Sequence, residues 1–263
     1  MKRYAVKLYY DGKNFQGFQL QKNGRTVAGE ILSALLKSRL VDDFRTAHFQ
    51  AASRTDKGVS ALGQTIAFNT DKNFSLKRLN AFLPVDIYAW AWTETSLGFN
   101  PRKEAVKRTY VYINPYHGEN LQFMKKTAET VRKKLVFGSY VNKKGELKPR
   151  TLKKLTITKK EDFVFFVFSA KSFVRNLVRR LVSLILKVGL GEIPIDRVEN
   201  LLEKGLVFNL PLAPAENLIL LDVQYKFGFN VDEASKKILM DKLRKEICKS
   251  ELKRLCLKNL EQL

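Results

Sequence analysis

Residues 53–64, SRTDKGVSALGQ, set one carboxylate, Asp56, between the cations Arg54 and Lys57 and follow it with Gly58. Opposite charges nearby favour the ionised carboxyl, so an Asp in this setting is a poor general acid but a competent nucleophile or charge stabiliser. Thr-Asp-Lys-Gly is also ordinary turn chemistry, and an exposed turn accounts for the spacing on its own. A second group lies downstream. Lys171, Arg175 and Arg179 fall every fourth residue, a basic stripe on a helix, while Phe173, Leu177, Leu181 and Leu184 line an apolar one. A solvated helix face is the plain alternative for that stripe. Tyr110 and Tyr112 alternate along a strand-like run, where core packing is the competing reading.

Metal chemistry has little support. His48 and His117 stand apart from any cysteine or carboxylate cluster at ligand spacing. Cys248 and Cys256 are too few and too close for a disulfide framework or a zinc site, and read as reduced thiols.

The chain carries 48 Lys and Arg against 26 Asp and Glu, a formal charge of +22 over 263 residues. That excess points to a polyanionic partner, nucleic acid or an anionic membrane surface. No stretch approaches the roughly 18 apolar residues of a spanning helix, and MKRYAVKLYYDG is cut by a turn too early for a signal peptide. A soluble, cytoplasmic protein is expected, with enough hydrophobic content for one sizeable core or two smaller ones.

The elements that must position these residues follow from periodicity. Residues 4–10 alternate and stop at Asp11-Gly12, a strand meeting a turn. Thr26 caps a helix to about Leu40, with Val27, Ile31 and Leu35 on one face. An extended piece over 45–52, the Asp56 loop and the strand TIAFNT come next. Ser75 then caps a short helix ended by Pro84, and VDIYAWAW resumes the strand period. The order recurs: AVKRTYVYI is a strand, 121–136 a helix, KLTITKKEDFVFFVFSA a hairpin, 173–188 a helix ended by Gly189. IDRVENLLEKG is a helix and NLILLDVQY a closing strand.

Element order thus divides the chain into halves, 1–103 and 104–230, of an α+β protein whose strands can join one sheet. No clear sequence repeat backs the division. Residues 231–263 form a helical extension in which Ile238, Leu239, Leu243, Ile247, Leu252, Leu255 and Leu260 interleave with charges. Packing on the body is the expected role; contact with a partner or RNA is the alternative.

SRTDKGVSALGQ as a whole resembles the catalytic segment of the TruA family of tRNA pseudouridine synthases, a Gly/Ser-Arg-Thr-Asp-x-Gly-Val-(His/Ser)-Ala run carrying the catalytic aspartate. YDGKNFQGFQLQ (10–21) is similar to the family's N-terminal element and FNPRKEAVKRTYVYI (99–113) to its Phe-His-x-Arg and Arg-x-Tyr-x-Tyr segments. FVRNLVRRLVSLILKVG (173–189) resembles its late basic helix and APAENLILLDVQY (213–225) its closing strand. The resemblance covers about residues 3–226.

That resemblance implies two pseudo-symmetric domains sharing an extended, mainly antiparallel sheet, with helices on one side and a basic RNA-binding cleft on the other. It implies isomerisation of uridine to pseudouridine with Asp56 as the catalytic residue, by attack on C1′ or through a glycal-type intermediate. Arg54 would fill the space of the flipped nucleotide, Tyr110 would pack near the target base and take part in C5 proton transfer, and Arg179 would pair with Asp56. RNA contacts would fall to Arg102, Arg108, Lys171 and Arg175. The implied substrate is the tRNA anticodon stem-loop at positions 38 to 40, handled by a homodimer without a cofactor.

Departures from the pattern bear on substrate contacts: Ser60 and Asn100 stand where many members have His, Asn217 where Gly is usual, and Arg180 where Asn is frequent. Two rivals remain open on the sequence, a non-catalytic RNA-binding protein of the same fold and, more remotely, a membrane-surface protein relying on the C-terminal segment.

Overall fold

The computed structural model describes residues 1–141 and 147–260, with side chains described outside 139–148 and 251–263. In β1 (Lys2–Tyr10) strand alternation sends Tyr4, Val6, Leu8 and Tyr10 to one face and Arg3, Ala5 and Lys7 to the other. α1 (Val27–Lys37) starts where Thr26 Oγ1 accepts from the Gly29 amide at 3.2 Å and lays Val27, Ile31 and Leu35 on the first of those faces. β2 (Gln50–Ala51), β3 (Ser60–Thr70), α2 (Leu76–Asn80) and β4 (Ile87–Thr95) complete the first half, with Ser75 capping α2 as its position predicts.

The second half runs β5 (Lys107–Pro115), α3 (Leu121–Lys134), the strands β6 (Ser139–Val141) and β7 (Leu147–Pro149), β8 (Lys154–Lys160), β9 (Phe163–Ala170), α4 (Leu177–Gly189), α5 (Val198–Glu203) and β10 (Leu218–Gln224). β11 (Asn230–Val231) and α6 (Glu233–Leu260) follow.

Nine strands form one sheet in the order β11-β4-β1-β3-β10-β5-β9-β8, with β2 beside β3. In each half the first strand is central, flanked by that half's last strand and by a middle one: β4-β1-β3, then β10-β5-β9. Pairing is antiparallel except at the junction, where Ser60 and Ala61 of β3 run parallel to Ile219 and Leu220 of β10. Lys7 straps that junction from β1, its Nζ 2.6 Å from Asp222 of β10 and 5.0 Å from the Phe229 ring. One contiguous hydrophobic cluster joins both halves, from Leu8 and Ile31 to Phe166 and Leu184. α1 and α4 therefore cover the same sheet face.

Two expectations change. The helix expected over 173–188 begins only at Leu177, because Asn176 adopts a left-handed φ of 63°. Lys171 and Arg175 accordingly lie in the loop before α4 and form no helical stripe with Arg179. The C-terminal extension holds one helix, Glu233–Leu260, and its described apolar residues do not share a face: at about 100° per residue, Leu239, Leu243 and Ile247 lie together while Ile238 stands apart. Leu239 is buried and Lys242 Nζ stands 5.9 Å over the Tyr9 ring, whereas Ile247 is exposed. Its first turns thus pack on the sheet face opposite α1, an exception to helices on one side; side chains from residue 251 on, including Leu252, Leu255, Cys256 and Leu260, lie outside the described residues.

No helix among the described residues is long and apolar enough to cross a membrane. Among the same residues no group of three or more His, Cys, Asp or Glu is placed to hold a metal ion.

Candidate active site

The loop bearing Asp56 is shaped by close backbone contacts. Val59 N donates to Asp56 O at 3.2 Å, closing a turn whose third residue, Gly58, has φ +82°; type II turns demand that value and glycine supplies it without strain. The YDG turn after β1 lies directly on this loop. A Cβ on Gly12 would stand 2.3 Å from Val59 O, so only glycine fits. Gly12 N also donates to Ser60 Oγ at 2.9 Å, and Phe18 N to Thr55 O at 3.0 Å. Ser60, a departure from the family pattern, is therefore a loop tie. Asn100, another departure, accepts from the amides of Arg102 and Lys103 at 3.0 Å each.

Beneath the loop, Tyr10 Oη is hydrogen-bonded to Thr55 Oγ1 at 2.7 Å, and Gln64 Nε2 donates to Ser53 O at 2.8 Å. Tyr10 and Gln64 rise from the α1 side of the sheet. Asp56 thus stands on the helix-bearing face, with Arg179 of α4 beside it. The physical reason lies at the junction: β10 occupies the edge of β3 at Ser60 and Ala61, so the incoming chain must lift out of the sheet there.

The second half supplies the cations that approach the carboxylate. Arg175 Nε is 3.9 Å from Asp56 Oδ1, and Arg179 Nη1 is 3.9 Å from Asp56 Oδ2. Both distances exceed a hydrogen bond, which leaves the carboxylate, on a side chain 28% exposed, open to a third group. The two arginines differ. Arg175 is 86% exposed, whereas Arg179 is 15% exposed and its Nε is held by Ala213 O at 2.6 Å. Arg54 and Lys57, the sequence neighbours of Asp56, are exposed. Charge is brought to the carboxylate from across the fold, not from along the chain.

Tyr110 forms the floor. It is buried, its ring meets Phe173 edge-on at 5.2 Å, and Phe173 stacks in turn on Phe137 at 6.3 Å. Burial pushes its phenol above the ordinary value of 10, the Ser53 hydroxyl and Arg108 oppose that rise, and the Asp56 charge adds to it. The group therefore stays protonated at neutral pH. Tyr112, its strand neighbour, is a core residue packed against Phe166.

Arg108 corrects an expectation. Expected at RNA, it is buried, and its guanidinium donates to Ser53 Oγ at 3.1 Å, Ala52 O at 2.8 Å, Arg102 O at 2.9 Å and Lys171 O. Desolvation there lowers its pKa. Its charge is engaged by the carbonyls of three segments beside Asp56. Arg102 is exposed beside it, and Lys171 is half-buried with its own carbonyl among them. The roles of Phe173 and Phe137 were not read from the sequence; Phe173 lay within the apolar stripe of an expected helix, which hid it.

A family model described as tRNA pseudouridine synthase matches residues 136–226. Among curated proteins, tRNA pseudouridine synthase A of Methanosphaera stadtmanae is 35% identical over 94% of this chain and 93% of its own length. Those of Thermococcus sibiricus (34%, covering 95% of this chain and 97% of its own) and Methanoculleus marisnigri (32%, covering 94% and 93%) are similar to it over comparable spans.

Proposed function

Because this chain belongs to the tRNA pseudouridine synthase A family, isomerases that act on tRNA, we propose that it converts uridines 38 to 40 of the anticodon stem-loop with Asp56 as the catalytic residue. The observation that carries the reading is the half-open Asp56 carboxylate, 3.9 Å from each of two guanidinia and beside a buried, protonated Tyr110.

The reaction breaks the C1′–N1 bond, turns the freed uracil and forms C1′–C5; the proton lost from C5 is balanced by the one gained at N1. Asp56 acts at the ribose, by attack on C1′ to give an ester that C5 later displaces, or by taking and returning a C2′ proton. Arg179, with little freedom to move, and Arg175 offset the negative charge that develops on uracil as it leaves. Preorganised donors of this kind contribute most where water is excluded. Tyr110 offers its face to the extruded base, and its neutral phenol is suited to relaying the C5 proton. Arg54, exposed on the loop, fills the gap left in the stem, while Arg102, Lys171 and the outer part of Arg175 meet phosphates.

The two halves, 1–103 and 104–230, then act as two walls of one basic cleft in the cytoplasm, with 231–263 as an added helix. A homodimer is supported by the other sheet face of the second half, where Val111, Ile113, Phe165, Val167 and Ile219 are only partly covered and Phe163 and Leu221 are exposed.

Pseudouridine mapping on an unmodified tRNA transcript, wild type beside Asp56→Ala, tests the reading. Pseudouridine in the anticodon arm from the wild type alone is the expected result. Tight binding without conversion by either protein would return the chain to the RNA-binding reading; conversion elsewhere would overturn the site.

A further inference from the structure

Beside the row of rings that leads away from Asp56 lies a cavity of ≈ 80 Å³ lined by Pro149, Arg150, Thr151, Lys153, Lys171 and Ser172. Among the described residues that line it, three are cationic and none is acidic. Arg150 is tied by its backbone on both sides, its amide to Gly138 O at 2.7 Å and its carbonyl to the Phe137 amide at 3.0 Å. Phe137 stacks on Phe173, and Phe173 meets Tyr110, so Arg150 sits two rings beyond the floor of the candidate active site. The Lys171 carbonyl on the other wall accepts from Arg108, the residue that also holds Ser53 of the Asp56 loop. The cavity is therefore registered to the catalytic loop from both sides.

Arg150, on the cavity's wall, carries an atom the fold leaves unexplained: its Nε is buried and has no hydrogen-bond partner among the described residues. Buried donors are nearly always satisfied, and an orphan in a cationic recess is accounted for by an anionic ligand with oxygens to offer. Lys153 projects from the same short segment, its backbone amide fixed to Ser169 O at 2.7 Å. A planar fork beside a flexible ammonium is a combination suited to a phosphate.

We infer that the Arg150–Lys153 recess seats one backbone phosphate of the RNA strand next to the target uridine, so that Arg150 and Lys153 position the substrate. This rests on the tRNA reading above and assigns to it two residues outside the catalytic constellation. Because the contact is made before and during reaction alike, losing it raises KM and leaves kcat little changed.

The test is a set of anticodon stem-loops, each with a single phosphate replaced by a neutral methylphosphonate, bound to wild type and to Arg150→Met at fixed salt. Wild type is expected to lose about 10-fold in affinity at one phosphate flanking the target, and Arg150→Met to be indifferent to neutralisation there alone. The slope of log Kd against log salt should also fall by about 0.7, the share of one single-strand phosphate. If every phosphate matters equally to both proteins, the recess does not hold RNA. Lys153→Met, at an exposed side chain, repeats the cycle should Arg150→Met melt early. Inorganic phosphate at constant ionic strength is the second arm: displacement of RNA from wild type but not from Arg150→Met is expected, whereas phosphate that binds through Arg150 and leaves RNA affinity unchanged would assign the recess to a free anion and overturn the RNA seat. The cycle reads binding only, so a wild type that binds the stem-loop without converting it refutes the uridine assignment and still decides the recess; no binding of stem-loop or whole tRNA overturns both.

Discussion

The two walls of the candidate site are built by unlike means. The wall from the first half holds Asp56 through backbone: a turn closed on Gly58, a glycine at 12 with no room for a side chain, and amide bonds from Gly12 and Phe18. The wall from the second half offers side chains, Arg175, Arg179 and Tyr110, on a loop, a helix and a strand. A carboxylate proposed to meet a ribose within a fraction of an ångström is best set by backbone; charges proposed to accept a polymer gain from reach. The difference teaches that substitutions in the first wall should act on folding and activity together, and those of the two arginines of the second on activity alone.

Gly12→Ala is the strongest way to break that contrast. Its new Cβ would collide with the Val59 carbonyl, which is backbone and cannot turn aside. Overpacking of this kind costs about 3 kcal/mol, and the displaced loop should lose conversion more than 100-fold even where the protein stays folded. Arg108→Met should cost a similar amount, since several carbonyls lose their donor. Urea midpoints and single-turnover rates measure both. Unchanged activity in a folded Gly12→Ala protein would mean that the loop is not held as described.

The two arginines sharpen the comparison within the second wall. They lie at the same distance from Asp56 but differ widely in exposure and support. Arg179→Ala should lower kcat about 100-fold, the usual scale for losing a preorganised charge at a reacting group. Arg175→Ala, at an exposed side chain, should cost about 1 kcal/mol and appear chiefly in KM, with a reduced salt dependence. Neither should move the urea midpoint by more than a few tenths of a molar unit. Equal kcat losses would show that exposure is a poor guide to which arginine faces the reaction.

Much of this arrangement was legible in the sequence, and what was not has physical reasons. Asp56, Arg179 and Tyr110 were singled out through the motifs that carry the resemblance, and the structure brings the three together; the caps at Thr26 and Ser75 lie where short polar side chains precede apolar runs. The approach of Arg179 to Asp56 was expected only through the resemblance; the local pattern assigned the charge to Arg54 and Lys57, because contacts between residues 56 and 179 depend on the β3–β10 junction, which no local pattern encodes. Arg108 misled because a basic residue in a basic chain reads as surface; only the convergence of three loop carbonyls explains its burial. The late helix was drawn too long since Phe173 and Leu177 keep a helical interval across the left-handed Asn176. The face on which the site stands was likewise invisible, being decided by which strand takes the edge of β3.

The smallest expected effect tests how deeply the loop is seated. Tyr10 and Tyr110 both lie under it, and burial raises the pKa of each phenol above the ordinary value of 10, Thr55 and Gln64 partly opposing this at Tyr10. In the unfolded chain these groups ionise near 10, whereas in the folded chain they hold their protons to higher pH. The folded state therefore binds more protons above pH 10, and the stability this provides is complete below that pH and declines as pH rises through the folded values. Each phenol contributes up to about 1.4 kcal/mol per pH unit there and nothing near neutrality. Tyr10→Phe should flatten the fall of the urea midpoint between about pH 10 and 11 while leaving its neutral-pH dependence unchanged. Tyr9, on the opposite face and raised to about 12 chiefly by burial, provides the control: Tyr9→Phe should flatten the same fall without touching conversion. If Tyr10→Phe leaves the alkaline slope as it was, Tyr10 is not sealed beneath Thr55, and the backbone account of the first wall loses its base.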